Sequence, residues 1–168
     1  MLDFEGCKTT LELGVVGSHF AEAPVLMDCE LGQLWLDGSQ LLGLNAQRMR
    51  VERSVMLRQG FRAKGLVDLN GSVIKDQLAC EGGSFDGKDG PALMGQGLDV
   101  GGDVILRGKF NAAGLVDLSG SVIKGQLSCT DGSFDGQGGT ALMAHRLDVG
   151  ASVFLKGAFS AKGLVDLT

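Results

Sequence analysis

Few side chains in this chain of 168 residues have the type and spacing that chemistry needs. Its two histidines, His19 and His145, are far apart, and zinc needs three or four clustered ligands. His145 stands where Gln47 and Gln96 stand at equivalent positions, so it reads as a solvated surface residue. The stretches GGSFDGKDG (82–90) and DGSFDGQGG (131–139) set Asp86, Asp89, Asp131 and Asp135 among glycines. Gly- and Asp-rich turns can bind calcium in β-helices, but these lack the G-G-x-G-x-D-x-U-x register, and Asp forms plain turns equally well. No Gly-rich loop precedes a helix, so a dinucleotide site has no support. There is no Tyr and one Trp, which leaves few aromatic platforms for a sugar. The expectation is a non-enzymatic chain with no catalytic residue, no metal ligand and no cofactor.

Composition narrows the partners. The net charge is −5, and a nucleic-acid ligand calls for a basic footprint. Direct nucleic-acid binding is therefore not expected. Hydrophobic residues make up 44% and charged residues 21%, which is not the composition of a disordered chain. The start, MLDFEGCKTT, has no basic or apolar leader region, and no apolar run approaches the ~20 residues of a membrane span. Cys7, Cys29, Cys80 and Cys129 form no C-x-x-C, so the expectation is reduced thiols in a cytoplasmic protein.

What positions these residues is a repeat. Residues 65–113 and 114–162 match at 31 of 49 positions without a gap, and GLVDL opens each copy and recurs at Gly163. Phe61, Phe85, Phe110, Phe134 and Phe159 divide the repeat into halves of 24 and 25 residues. Leu44, Leu69, Leu93, Leu118, Leu142 and Leu167 step in the same way. So do Val55, Leu78, Val104, Leu127 and Val153, with steps of 23 and 26. Short runs such as Val116–Leu118 and Leu127–Cys129 alternate with period two, as half-buried strands do, and Gly, Ser, Asn and Asp separate them.

A unit of this size cannot bury its own apolar side, but stacked copies can. The pattern predicts an all-β chain, a single-stranded parallel β-helix of about seven coils, 24–25 residues per coil, with a 49-residue double-coil repeat. Coil length favours right-handed winding. Residues 1–168 form one domain in this reading: degenerate coils over 1–64, regular repeats over 65–113 and 114–162, and the start of another at 163–168. Cys80 and Cys129, two coils apart, stand too far from each other for a disulfide. Asp68, Asp117 and Asp166 are two coils apart, with Ala92 and Ala141 expected between them. Asp99 and Asp148 alternate with Val73 and Val122, which keeps like charges from stacking.

The columns resemble those of pentapeptide-repeat proteins, although strict five-residue spacing fails in every coil, for example between Ile123 and Leu127. SVIKGQLSC at 121–129 is similar to long Gly-rich repeat arrays of bacterial proteins, some of which carry an oxidoreductase label. The resemblance covers 65–168 well and 1–64 loosely. It implies a β-solenoid and carries over no catalytic residue.

One column points outward yet is apolar. If Val55 and Leu57 face inward, Met56 faces out. Its column reads Trp35, Met56, Ala79, Ile105, Ser128, Phe154, and a contiguous apolar stripe marks a contact. Beside it runs Arg58, Glu81, Arg107, Thr130, Lys156. The expected interface is Trp35, Met56, Ile105 and Phe154, joining a homodimer or another protein partner. The competing reading packs this column under the N-terminal segment. Two other functions stay open: binding an extended ligand such as a polysaccharide along one face, and acidic nucleic-acid mimicry. Arg48, Arg50, Arg53 and Arg58 form a basic cluster that suits either a solvated face or an anion.

Overall fold

A computed structural model describes residues 2–168. There is no helix among them; 23 short strands, nearly all of two or three residues, wind into a β-solenoid of about seven turns. Each coil has four straight segments and four corners. In one coil the segments are Glu30–Leu31, Gln33–Trp35, Gln40–Leu41 and Leu44–Asn45. Every strand pairs in parallel with its counterparts in the neighbouring coils, which gives a six-stranded sheet, a seven-stranded sheet and a ten-stranded sheet. The ten-stranded sheet covers two faces, because Ser133–Met143 and Ser160–Asp166 stay extended around a corner.

The Phe comb fills the interior. Phe61, Phe85, Phe110 and Phe134 are fully buried, and Phe159 is half-buried in the last coil. Successive ring centroids are 5.2, 5.2, 5.2 and 5.5 Å apart, with planes tilted by 38–45°. Tilted pairs at this distance contribute ~0.5–1.5 kcal/mol each beyond their burial.

The backbone beneath the rings does not keep the even step of the comb. Phe85 lies in register with Ala63 and Ala112, and Phe134 with Ala112 and Ala161. Phe61, Phe110 and Phe159 therefore sit two residues earlier on their coils. One coil writes Gly83-Ser84-Phe85, and the next writes Phe110-Asn111-Ala112. Where the ring moves back, Ala takes its former place; where it moves forward, Gly does. A Cβ on Gly83 would lie 2.9 Å from the Phe85 ring, and one on Gly132 would lie 3.0 Å from the Phe134 ring. The Leu column behaves alike: Leu93 is in register with Val67 and Val116, and Leu118 lies two residues beyond Val116.

This exchange corrects the expected coil length. Along one face the register runs Leu13, Leu34, Val55, Leu78, Val104, Leu127, Val153. The steps are 21, 21, 23, 26, 23 and 26 residues, so long coils alternate with short ones and the first coils are shorter still. A long coil carries extra residues at one corner, 87–92 or 136–141 (the second set within the strand Ser133–Met143), where a short coil has only Gly114 and Leu115. Gly65, Gly114 and Gly163 open GLVDL because that corner needs positive φ (147°, 121°, 128°). A Cβ there would also strike a carbonyl oxygen of the adjacent coil, at 2.2, 2.2 and 2.3 Å.

The register also corrects the spacing of the acids. Met94 and Met143 stand between Asp68, Asp117 and Asp166, not Ala92 and Ala141, which point inward and are buried. Either way the carboxylates are two coils apart. Asp99 and Asp148 alternate with Val73 and Val122, as expected.

The ladder predicts a graded response. Phe110→Ala leaves a ring-sized void in the middle of the stack and should destabilise the fold by ~3–5 kcal/mol, as such truncations do. Phe159→Ala, on the half-covered last coil, should cost clearly less. Urea unfolding followed by circular dichroism measures both; equal losses would mean that the rings do not act as a stack.

Candidate interaction surface

The outer column forms as a continuous line. Trp35, Met56, Ala79, Ile105, Ser128 and Phe154 are successive register partners across six coils. The N-terminal segment does not cover them: Glu12–Gly14 pairs with Gln33–Trp35 and adds a coil below, with Gly14 beside Trp35. Trp35, Ile105 and Phe154 are half-buried among their neighbours, while Met56 is 8% exposed and Ser128 is 9% exposed. The indole N–H of Trp35 is buried without a hydrogen-bond acceptor.

Size alternates along this column. Met56, Ile105 and Phe154 come from coils of one kind, Ala79 and Ser128 from the other. From Met56 onward the larger side chains therefore stand two coils apart with small ones between them, whereas Trp35 and Met56 are on adjacent coils. One pit, a cavity of about 430 Å³, lies over Ser128 and is bordered by Ile105, Phe154, Arg107 and Lys156.

The charged column flanks the apolar one. Arg58 donates two hydrogen bonds from its guanidinium to Asp37 Oδ2, at 3.2 and 2.8 Å, and its backbone N–H donates to Asp37 Oδ1. Arg107 pairs with Glu81 at 3.4 Å, both half-exposed. The Lys156 ammonium lies 4.3 Å from the Phe154 ring centroid, a cation–π contact.

Most other polar residues serve neighbouring coils. Arg48 pairs with Asp28, Arg53 with Glu12, and Arg50 lies in register with Glu30. Arg48 holds the Asp28 carboxyl below the usual carboxylate range. The basic cluster near the third coil is thus matched by acids. Asp68, Asp117 and Asp166 each accept a backbone N–H two residues on through Oδ1. Their Oδ2 atoms meet Gln47, Gln96 and His145, each at 2.7 Å. His145 lies on the exposed surface, as its reading as a solvated residue expects, and in addition has a partner; that contact is the main cause of Asp166's lowered pKa. Asp86 and Asp135 bind the N–H of Lys88 and Gln137, the plain turn use of Asp. Ser72 and Ser121, the serines of GSV, are fully buried and donate to the carbonyls of Ala46 and Gly95 in the preceding coil. No group of three or more His, Cys, Asp or Glu placed to hold a metal ion lies among the described residues. No helix among them is long and apolar enough to cross a membrane.

The short early coils bring together one pair that the 24–25 step hides. Cys7 and Cys29 lie side by side on adjacent coils, next to the Lys8–Glu30 bridge, with sulfurs 2.9 Å apart and both thiols free. Burial first, and then the neighbouring Cys7 thiol, push the Cys29 pKa up to about 12. Burial likewise raises Cys80, and raises Cys129 to about 12. Those two point into the core.

Comparison with protein-family models, with curated proteins and with solved structures finds no match to this chain.

Neighbouring parallel strands hold Cα atoms ~4.8 Å apart, inside the range a disulfide spans. Hydrogen peroxide should therefore take one hydrogen from each of Cys7 and Cys29, form the S–S bond and be reduced to water. Intact mass spectrometry should show the loss of two hydrogens, and Cys7→Ser should abolish it. Four free thiols after treatment would refute the pairing.

Proposed function

We propose that this chain is a structural or protein-interaction β-solenoid that associates with itself through the outer apolar column, rather than a catalyst. The supporting observation is the unbroken line of Trp35, Met56, Ile105 and Phe154 with their small spacers, in register over six coils and bordered by charge. Single exposed apolar residues are ordinary on a protein surface; a continuous outward apolar column that is half-covered at Trp35, Ile105 and Phe154 suits a contact. The use of polar side chains supports the same reading. Most are engaged between coils, and among the described residues no set of nucleophile, base and acid converges on one point. A second observation favours an additional contact. Leu147, Val149, Leu155 and Phe159 face inward from the last coil but are only half covered. Further coils in the same register, or a second copy, would cover them.

The column makes the proposal testable. Analytical ultracentrifugation over micromolar to millimolar concentrations should show the parent chain in equilibrium with a dimer. Ile105→Lys and Phe154→Lys place a charge on the stripe and should leave only the mass of one chain. An unchanged mass distribution in both variants would refute self-association through this surface.

A further inference from the structure

Resting on that reading, we infer that the stripe is self-complementary in one arrangement: a symmetric dimer of antiparallel solenoids, face to face, with its two-fold axis between the third and fourth of the six coils. Sheets packed face to face stand ~10 Å apart, and an isologous contact sets residue i against j and j against i. A two-fold axis parallel to the strands keeps apolar column on apolar column and charged column on charged column while reversing coil order. The first coil then faces the sixth, the second faces the fifth, and the third faces the fourth.

Every inner pairing in this register is complementary. Met56, 8% exposed between its neighbours, faces the pit over Ser128 of the second copy, and Ile105 faces small Ala79. Glu81 meets Arg107 of the other copy, and Lys156 meets the Asp37–Arg58 pair from its acidic side. Trp35 and Phe154 meet at the two ends. There the rings have room to lie offset, because Gly14 is the neighbour of Trp35 and Phe154 belongs to the last coil of this face. The outward column on the other flank, Gln33, Ser54, Gln77, Asp103, Gln126 and Ser152, sets amides and hydroxyls opposite one another and Gln77 opposite Asp103.

Other registers fail on the same residues. A shift of one coil puts Glu81 on Glu81, or Arg107 on Arg107, and sets ridge on ridge. A shift of two coils restores complementarity but leaves two coils of each stripe uncovered. Parallel solenoids put ridges level with ridges and the charged column against the amide column. Six coils at ~4.8 Å and three outward columns ~7 Å apart give a patch of roughly 400 Å² per copy, about half that of a standard stable interface. The dimer is accordingly a reversible one.

Met56 and Ser128 are three coils apart and never meet within one chain, so a compensating pair there reports only the contact between copies. M56K alone and S128E alone should each raise the dissociation constant at least ~tenfold. M56K/S128E should return it to near the parent value, because each Lys then faces a Glu. Circular dichroism and a thermal melt establish folding of each variant. If M56K does not fold, the exchange M56S/S128M takes its place, with S128M alone as the disrupting partner. Failure of the double variant to recover, while Ile105→Lys still dissociates the dimer, would overturn this arrangement and leave self-association standing. A dimer that persists in Ile105→Lys would overturn both.

Discussion

The gap between adjacent coils is one strand spacing, ~4.8 Å, and every inward side chain must fit beside its copy in the next coil. That constraint governs the molecule. In this chain the phenyl rings do not share one backbone register: Gly-x-Phe and Phe-x-Ala alternate from coil to coil, which shifts the ring by two residues while the centroids stay evenly 5.2 Å apart. Close packing at protein density makes both halves of the exchange necessary: a ring without its small neighbour clashes, and a small residue without its ring leaves a void.

A 49-residue repeat with two unlike halves follows directly. Alternate coils also differ at one corner, where the long coils carry the extra residues 87–92 and 136–141. The outer columns inherit the alternation. Small Ala79 and Ser128 fall on one kind of coil and large Met56, Ile105 and Phe154 on the other, although nothing in the core requires that sorting. Asp99 and Asp148 likewise fall on every second coil, where Val73 and Val122 keep them apart.

Much of this was legible in the sequence, because identical residue types at a fixed period report stacking directly. The strand column Val55–Val153 fell into register as its spacing implied. The Phe and Leu combs were legible as interior, but their even 24- and 25-residue steps concealed coils of unequal length. A side-chain column and a backbone register need not coincide when residues exchange places across two positions. Reading Ala63, Ala112 and Ala161 against Phe85 and Phe134 would have revealed it. The same error hid Cys7 beside Cys29, whose separation of 22 residues fits only the short early coils. The role of His145 was missed for a different reason. Its equivalence to Gln47 and Gln96 was visible, but the shared partner, the Asp of GLVDL in the next coil, requires the register.

The inventory of polar contacts bears on what such a chain can do. A solenoid whose Asp, Gln, Ser and Arg side chains recur once per coil engages them in turns and bridges, because every corner leaves backbone groups that need partners. The chemistry is therefore spread evenly along the axis, whereas catalysis concentrates unlike groups at one point. A periodic surface is suited to recognising something with the same period, which is the ground for proposing a second copy of the same coil stack as the partner. The alternation of coils in the core has a counterpart outside, where small Ala79 and Ser128 alternate with larger Met56, Ile105 and Phe154. In the proposed dimer, antiparallel pairing about a point midway along six coils would bring odd coils against even ones, a parity that sets a large side chain against a small one at the four inner positions.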